Sequence, residues 1–398
     1  MNKRVYLLTM VSFVVGMVEL IIGGILDLIS KDLEVSLGKT GLLITVFSLT
    51  FAISSPVLMT LTARIERKRL TLVVLLIFFL GNVIAIISPS YAILFFARIV
   101  SASSGSLLVV LCVTIASNIV SEAYRARAIG IVFMGISASL VLGVPIGLLL
   151  GQAFGWRSPF VMIAILTLLS IAGVYFLMDT IMPQPSIPFL QQMRTLKNKK
   201  VFFAQLTSFL FLAGHLTLYA YLTPFLETEL GLGGTWVSIV YLIFGIAAVI
   251  GGGFGGTLAD RIGTVPTLLL VIVFFALSIF ILPYTTMSLP LFLIVMMIWS
   301  MLSWAITPAM QSYLIAAAPE AADIQQSLNN SALHFGIAFG SMIGGLVLEH
   351  LTVKDNATCG GIFVLFALGT ALFSITRKPK HSPSAGFDSS QQNMTHTN

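Results

Sequence analysis

The sequence predicts an all-α membrane protein of twelve transmembrane helices arranged as two pseudo-symmetric six-helix bundles. Three observations carry that reading. Apolar residues make up 57% of the chain and charged ones only 9%, against about a quarter charged in a soluble domain, which excludes a water-soluble fold. The 398 residues divide into apolar runs near the length of about 20 residues that a bilayer requires, with no room for a sizeable extramembrane domain. Short patterns also recur at one fixed distance along the chain, the mark of a duplicated bundle.

Charged or Pro/Gly-rich breaks place the helices at 5–29, 41–63, 70–88, 92–118, 126–151, 158–178, 201–225, 235–258, 266–284, 289–317, 325–350 and 360–376. Met1–Arg4 before an apolar run resembles a secretion signal at first sight. The run continues to Ile29 without a small-residue cleavage site, so it reads as a retained first helix. Residues 1–178 then form the first bundle and 201–376 the second. Between them, 179–200 carries Pro183, Pro185 and Pro188 followed by Arg194, Lys197, Lys199 and Lys200, a composition suited to a cytoplasmic linker. The tail 377–398 is Ser/Gln/Asn-rich and predicted to be disordered and cytoplasmic.

Basic residues set the orientation, because cytoplasmic loops retain Lys and Arg. With both termini inside, sixteen of the 21 fall on the cytoplasmic side, including Arg64, Arg125, Arg127 and Arg261. Only Lys31, Lys39, Arg157 and Lys354 fall outside, and Arg98 lies within a span. This asymmetry explains the net charge of +6 without a nucleic-acid partner. Cys112 and Cys359 show no metal-ligand spacing and read as packing residues.

The repeat has an offset of 197: Leu61-Thr-Ala-Arg64-Ile65 matches Leu258-Ala-Asp260-Arg261-Ile262, and Gly143-Val-Pro145-Ile-Gly147 matches Gly340-Ser-Met-Ile-Gly344. Each pair falls on equivalent helices of the two halves.

Ionisable groups inside a span cost a few kcal/mol and are functional candidates by default. Glu19 lies about 14 residues into a rising helix, roughly 21 Å up, and Arg98 about six residues into a descending one, so both are expected at similar depth. Gly16 and Gly23 flank Glu19; Ala102 and Gly105 follow Arg98. One reading makes Glu19 a site that takes up and releases a proton, with Arg98 tuning it; the other makes the two a buried structural pair. In the second half His215 is the counterpart of Glu19 to within one position. Gln205, Ser208, His215 and Tyr219 form one polar stripe; Asn330, His334 and Ser341 form another; Ser300, Ser303, Thr307 and Gln311 form a third, with Trp299 and Trp304 beside it. Such stripes either line a cavity or bond neighbouring helices. His215, Tyr219, Trp304, Asn330 and His334 are the candidate substrate contacts; aromatic rings beside amides suit a flat heteroaromatic ligand and amphipathic drugs alike.

The run Gly251-Gly-Gly-Phe-Gly-Gly256 lacks the Lys-Ser/Thr of a phosphate-binding loop and follows no strand, so close helix packing explains it better. No nucleotide-binding motif and no nucleophile–base constellation is visible, so no enzyme, cofactor or metal is expected, and active transport would draw on an ion gradient.

Gly256-Thr-Leu-Ala-Asp260-Arg261-Ile-Gly263 resembles the loop signature of the major facilitator superfamily, and Arg98 with Ala102 and Gly105 resembles its fourth-helix motif. Gly143-Val-Pro145-Ile-Gly147, followed by Gly155-Trp156-Arg157, is similar to the motif of its drug/proton antiporters. Within that group the segments around Glu19, Arg69, Arg127 and His215–Tyr221 look most like a bacterial purine base and nucleoside efflux pump or a close paralogue. The resemblance spans residues 1 to about 376. It implies a monomer in the bacterial cytoplasmic membrane that exports a small molecule by alternating access, driven by protons. It further implies Glu19 as proton site, Arg98 as its modulator, Pro145 with Gly143 and Gly147 as a fifth-helix hinge, and Arg64, Gly256, Asp260, Arg261 and Gly263 as gate-loop residues. Multidrug or sugar-type efflux is the nearest alternative, and a membrane sensor a more distant one. Two departures stand out: Ala63 and Glu66 replace the signature's Asp and Gly in the first-half loop, and Asp27 stands where relatives often have Pro.

Overall fold

The computed structural model describes residues 3–121, 124–182, 195–318 and 322–377. The linker prolines, Arg194, Lys378, Lys380 and the rest of the tail lie outside the described residues. Within them, twelve helices are long and apolar enough to cross a bilayer. Spans 1 to 4 are Lys3–Asp32, Leu37–Leu61, Arg67–Ile87 and Tyr91–Asn118; span 5 runs from Arg125 to Phe154 as two α-helical pieces joined by a short π-helical one, and span 6 is Ser158–Leu177. Span 7 is Lys199–Tyr219, continued after a break by Leu222–Leu230. Spans 8 to 12 are Thr235–Ile262, Thr264–Ile281, Leu289–Ala317, Ala322–His350 and Asp355–Thr376. Their outward faces carry exposed apolar side chains such as Leu76, Leu80, Ile165, Leu169, Phe274 and Phe366, the surface that lipid solvates.

Helix ends follow local chemistry. Ser36 accepts the Lys39 N–H to start span 2, and Asn198 accepts the Lys200 N–H to start span 7. Two departures from uninterrupted helix matter. In span 5, Pro145 cannot donate to the carbonyl one turn back, and the helix widens there: Ser139–Gly143 is π-helical, with the Val144 N–H reaching back to the Ser139 carbonyl. Span 7, expected to run unbroken to 225, stops at Tyr219. The chain turns through Tyr221 (φ −117°, ψ 23°) before Leu222–Leu230 resumes the helical path.

Close packing within each half rests on glycine. Met17 sits against Gly143, Ile21 against Gly147 and Ile25 against Gly151, so residue n of span 1 meets residue n+126 of span 5. In the second half Phe209 meets Gly336, Ala213 meets Gly340 and Thr217 meets Gly344, a register of n+127 between spans 7 and 11. The duplication visible as short sequence matches is thus also a repeated packing register. Gly251 and Gly255 lie against the backbone of Met301 and Ala305 in span 10, which makes that run a helix-packing surface, as expected from the missing phosphate-binding residues.

One end of the molecule carries the described chain ends. There Arg4 pairs with Asp179 (2.6 Å), and the Ser374 hydroxyl donates to the Lys200 carbonyl. At the other end Asp32 accepts from both Trp156 and Arg157, each at 2.8 Å, while Arg157 also donates to the Ser88 carbonyl. The two bundles meet along spans 2 and 11 and along spans 5 and 8. Most hydrogen bonds across them lie in the half away from the termini. The Thr223 and Tyr241 hydroxyls donate to the Gly23 carbonyl, and Gln152 Nε2 donates to the Gly234 carbonyl at 2.6 Å.

The register predicts where side chains are intolerable. Gly340→Val drives a branched chain into the backbone of span 7 and is expected to cost about 1–3 kcal/mol or more. Gly252→Ala, where a Cβ would meet nothing within 4 Å, is expected to be neutral or slightly stabilising, since Ala favours a helix over Gly. Thermal unfolding of the two variants in detergent checks both.

Candidate proton and substrate site

Glu19 sits at mid-span with its side chain 17% exposed. Arg98 comes to the same level but is committed to backbone: Nη1 donates to the Val18 carbonyl at 2.7 Å and Nε to the Leu43 carbonyl at 3.4 Å. Its guanidinium lies 4.0 Å from the centre of the Phe47 ring, a cation–π contact. The ionisable side chain that meets Glu19 directly is His334 of span 11, whose Nδ1 is 3.7 Å from Oε1, an ion pair when the imidazole is protonated. The His334 ring stacks on Phe51 of span 2, 4.1 Å between centres. A residue the sequence places in a cargo-facing stripe therefore stands beside the buried acid.

The polar stripes divide into bonded and unbonded members. Gln205 donates to Gln325, Ser208 donates to Asn329 at 2.7 Å, and Ser300 donates to the Phe244 carbonyl at 2.6 Å. These three join helices. His215 and Tyr219 instead belong to a cluster of rings. His215 is 5.2 Å from Tyr219 in a stacked arrangement and 5.1 Å from Trp299, and Tyr219 is 4.8 Å from Phe244. Within this cluster His215 Nδ1, the Tyr219 hydroxyl and Trp299 Nε1 are buried without a hydrogen-bond partner. Next to it on span 7, a small cleft of about 10 Å³ lies among Ser208, Phe211, Thr307, Met310, Asn329 and Leu333.

Two of the residues expected to contact substrate, Trp304 and Asn330, lie outside the ring cluster and the bond to Ser208. Trp299, not Trp304, joins the rings; five residues turn a helix by about 140°, so both cannot face His215, and Trp304 is half-buried elsewhere on span 10. Asn329, not Asn330, bonds Ser208; Asn330 is half-buried one turn from His334 on the same face of span 11. Phe51, Phe244 and Tyr241 were not singled out by the sequence, because an aromatic on an apolar helix looks like any core residue.

Of the gate-loop residues, Arg64, Asp260 and Arg261 are exposed, and none of them forms an ion pair among the described residues. Gly263 has φ +93° and ends span 8, a backbone geometry that only glycine adopts easily. Gly256 faces Pro308 of span 10. Gly143, Pro145 and Gly147 are buried at and just after the π turn, against span 1. In the first-half loop Glu66 has its own task. Its carboxylate caps span 3 by accepting the N–H groups of Lys68 and Arg69, and it also accepts the Ile181 N–H at 2.8 Å. The acid replacing the signature's glycine thus ties this loop to the chain leaving span 6.

Partial burial pushes the Glu66 carboxyl up, but the donors at Ile181, Arg69 and Lys68 outweigh it and hold the group below the ordinary glutamate value of 4.5. A lowered folded value means that the tie is complete above 4.5 and is lost as pH falls through that lowered value. Amide exchange at Lys68, Arg69 and Ile181 is expected to accelerate in Glu66→Gln at neutral pH, and in the unmodified protein only on acidification.

Twelve apolar spans in two bundles, with charged and aromatic groups buried between them, define a multi-pass membrane transporter. The chain belongs to the Major Facilitator Superfamily, whose model matches residues 8–341. It is 36% identical over 379 residues to the uncharacterized MFS-type transporter YbcL of Bacillus subtilis, covering 95% of this chain and 97% of that one. It is 27% identical over 365 residues to a protein of Mannheimia succiniciproducens named "Probable sugar efflux transporter", covering 90% of each. Among solved structures it is similar to a bacterial homolog of the human lysosomal transporter Spinster in an inward-facing and occupied conformation. The TM-score is 0.77 at 16% identity, covering 94% of this chain and 96% of that one, a likeness of fold. The relatives are transporters, not enzymes, so the protein moves a small molecule across a lipid bilayer.

Proposed function

We propose that the protein is a proton-coupled exporter of small planar heteroaromatic molecules, purine bases, nucleosides or their analogues. In this reading it works as a monomer in the bacterial cytoplasmic membrane with both termini in the cytoplasm. The observation that carries the cargo class is the ring cluster on spans 7, 8 and 10, with three buried polar atoms left unbonded at His215, Tyr219 and Trp299. A buried donor or acceptor without a partner costs about 1–3 kcal/mol, and a purine offers both ring faces to stack on and ring nitrogens to bond. Glu19 carries the coupling proton and the two bundles rock about the site.

Export of a sugar is the second reading, favoured by the name of the Mannheimia relative. A sugar needs a polar partner for each of several hydroxyls, whereas Ser208 and Ser300 are already engaged between helices and Gln205 keeps only its carbonyl oxygen free. That tips the balance toward a flat, mostly apolar cargo.

Uptake of radiolabelled hypoxanthine, adenosine and a hexose into inverted vesicles, with and without an imposed pH gradient, separates the readings. Gradient-driven uptake of the first two alone is the expected result; uptake of the hexose alone sinks the purine reading. Glu19→Gln is expected to reduce energised uptake to passive leak, and Trp299→Ala or His215→Ala to weaken apparent affinity about tenfold, the size of one lost stacking contact.

A further inference from the structure

Glu19 and His334 face one another from opposite bundles, Glu19 on span 1 and His334 on span 11. Their 3.7 Å separation is too long for a hydrogen bond, which needs about 2.7–3.2 Å, yet within reach of an ion pair. His334 Nδ1 is buried with no hydrogen-bond partner. The ring cannot turn freely, because its face lies on Phe51. The other charged group acting on Glu19 is Arg98, whose Nη1 and Nε are held by the Val18 and Leu43 carbonyls and whose plane lies on the Phe47 ring, with Nη2 left without a hydrogen-bond partner. His215 stands apart, within its own ring cluster. An approach of about half an ångström would place a proton on the line between Nδ1 and Oε1 in a charge-assisted bond.

We propose that the coupling proton is held jointly by Glu19 and His334, one group from each bundle, so that loading the proton ties the bundles together at mid-span and losing it releases them. The proposal rests on the reading of Glu19 as the proton site and changes the part given to His334 from cargo contact to proton holder. It also explains why a buried imidazole is left without a partner beside an acid. The proton passes from water at one face onto the pair and leaves to water at the other, with no change in covalent structure.

The test needs no knowledge of the cargo. Difference infrared titration of the purified full-length protein follows the C=O band of a protonated buried carboxyl. The band is expected to vanish in Glu19→Gln. In His334→Gln, which keeps an amide hydrogen-bonding group but cannot titrate, the band should persist with its midpoint displaced by about one pH unit or more, the effect of a charged partner at this distance. Should that variant not yield monodisperse protein, His334→Asn serves the same purpose. An undisplaced midpoint overturns the joint holding of the proton while leaving Glu19 as a lone proton site. A band that survives Glu19→Gln unchanged overturns the assignment of Glu19 itself.

Discussion

The structure depends on the absence of water from the interior of the bilayer, where every buried donor and acceptor must find its partner within the protein. Backbone groups meet this demand by forming helices. Side chains meet it by short-range bonding: Thr71 and Thr167 to the carbonyl one turn back, Gln205 and Ser208 to span 11, Arg98 to the carbonyls of spans 1 and 2. Once these debts are settled, what is left over becomes informative. The unbonded atoms of His215, Tyr219, Trp299 and His334 stand out because they lie in ring stacks, with His334 beside the buried acid, whereas Gln205, Gln325 and Arg98 keep one free polar atom alongside bonds they do make.

The same dry environment shapes the packing. Lipid chains are as apolar as leucine, so helices gain little by hiding apolar surface from lipid and must instead fit closely. Glycines at Gly143, Gly147 and Gly151 let the knobs of span 1 sink into span 5, and those at Gly336, Gly340 and Gly344 do the same between spans 7 and 11. The π turn before Pro145 lies inside the first of these seams, and Glu19 stands on the helix packed against it. The tightest seam of the first half and its buried acid therefore share a helix.

Much of this was legible in the sequence, because hydropathy reports membrane spans directly and a glycine repeat reports close packing. The span positions, the glycine-run packing and the placing of His215 and Tyr219 on one face of span 7 could all be read. The break after Tyr219 could not: Ala220, Tyr221 and Leu222 continue an apolar run, and the turn is fixed by contacts such as the Tyr221 hydroxyl on the Ser341 carbonyl. The choice of Trp299 over Trp304 and of Asn329 over Asn330 depends on helix rotation, which a stripe of mixed polar residues leaves undetermined. The partner of Glu19 was hidden for another reason. Arg98 is the obvious opposite charge, but its geometry favours three backbone and ring contacts, and the acid is left to a histidine more than three hundred residues away.

The shared register of the two glycine seams has a mechanical consequence. A seam in which every fourth residue is interlocked resists sliding, so spans 1 and 5, and likewise 7 and 11, are held as pairs. A helix of 28 residues such as span 8 is about 42 Å long, so tilting a rod of that length by about 10° around its middle moves each end by roughly 4 Å, about the width of a side chain. In the rocking proposed above, a lever of that length would turn a small adjustment at its fulcrum into the opening or sealing of a passage.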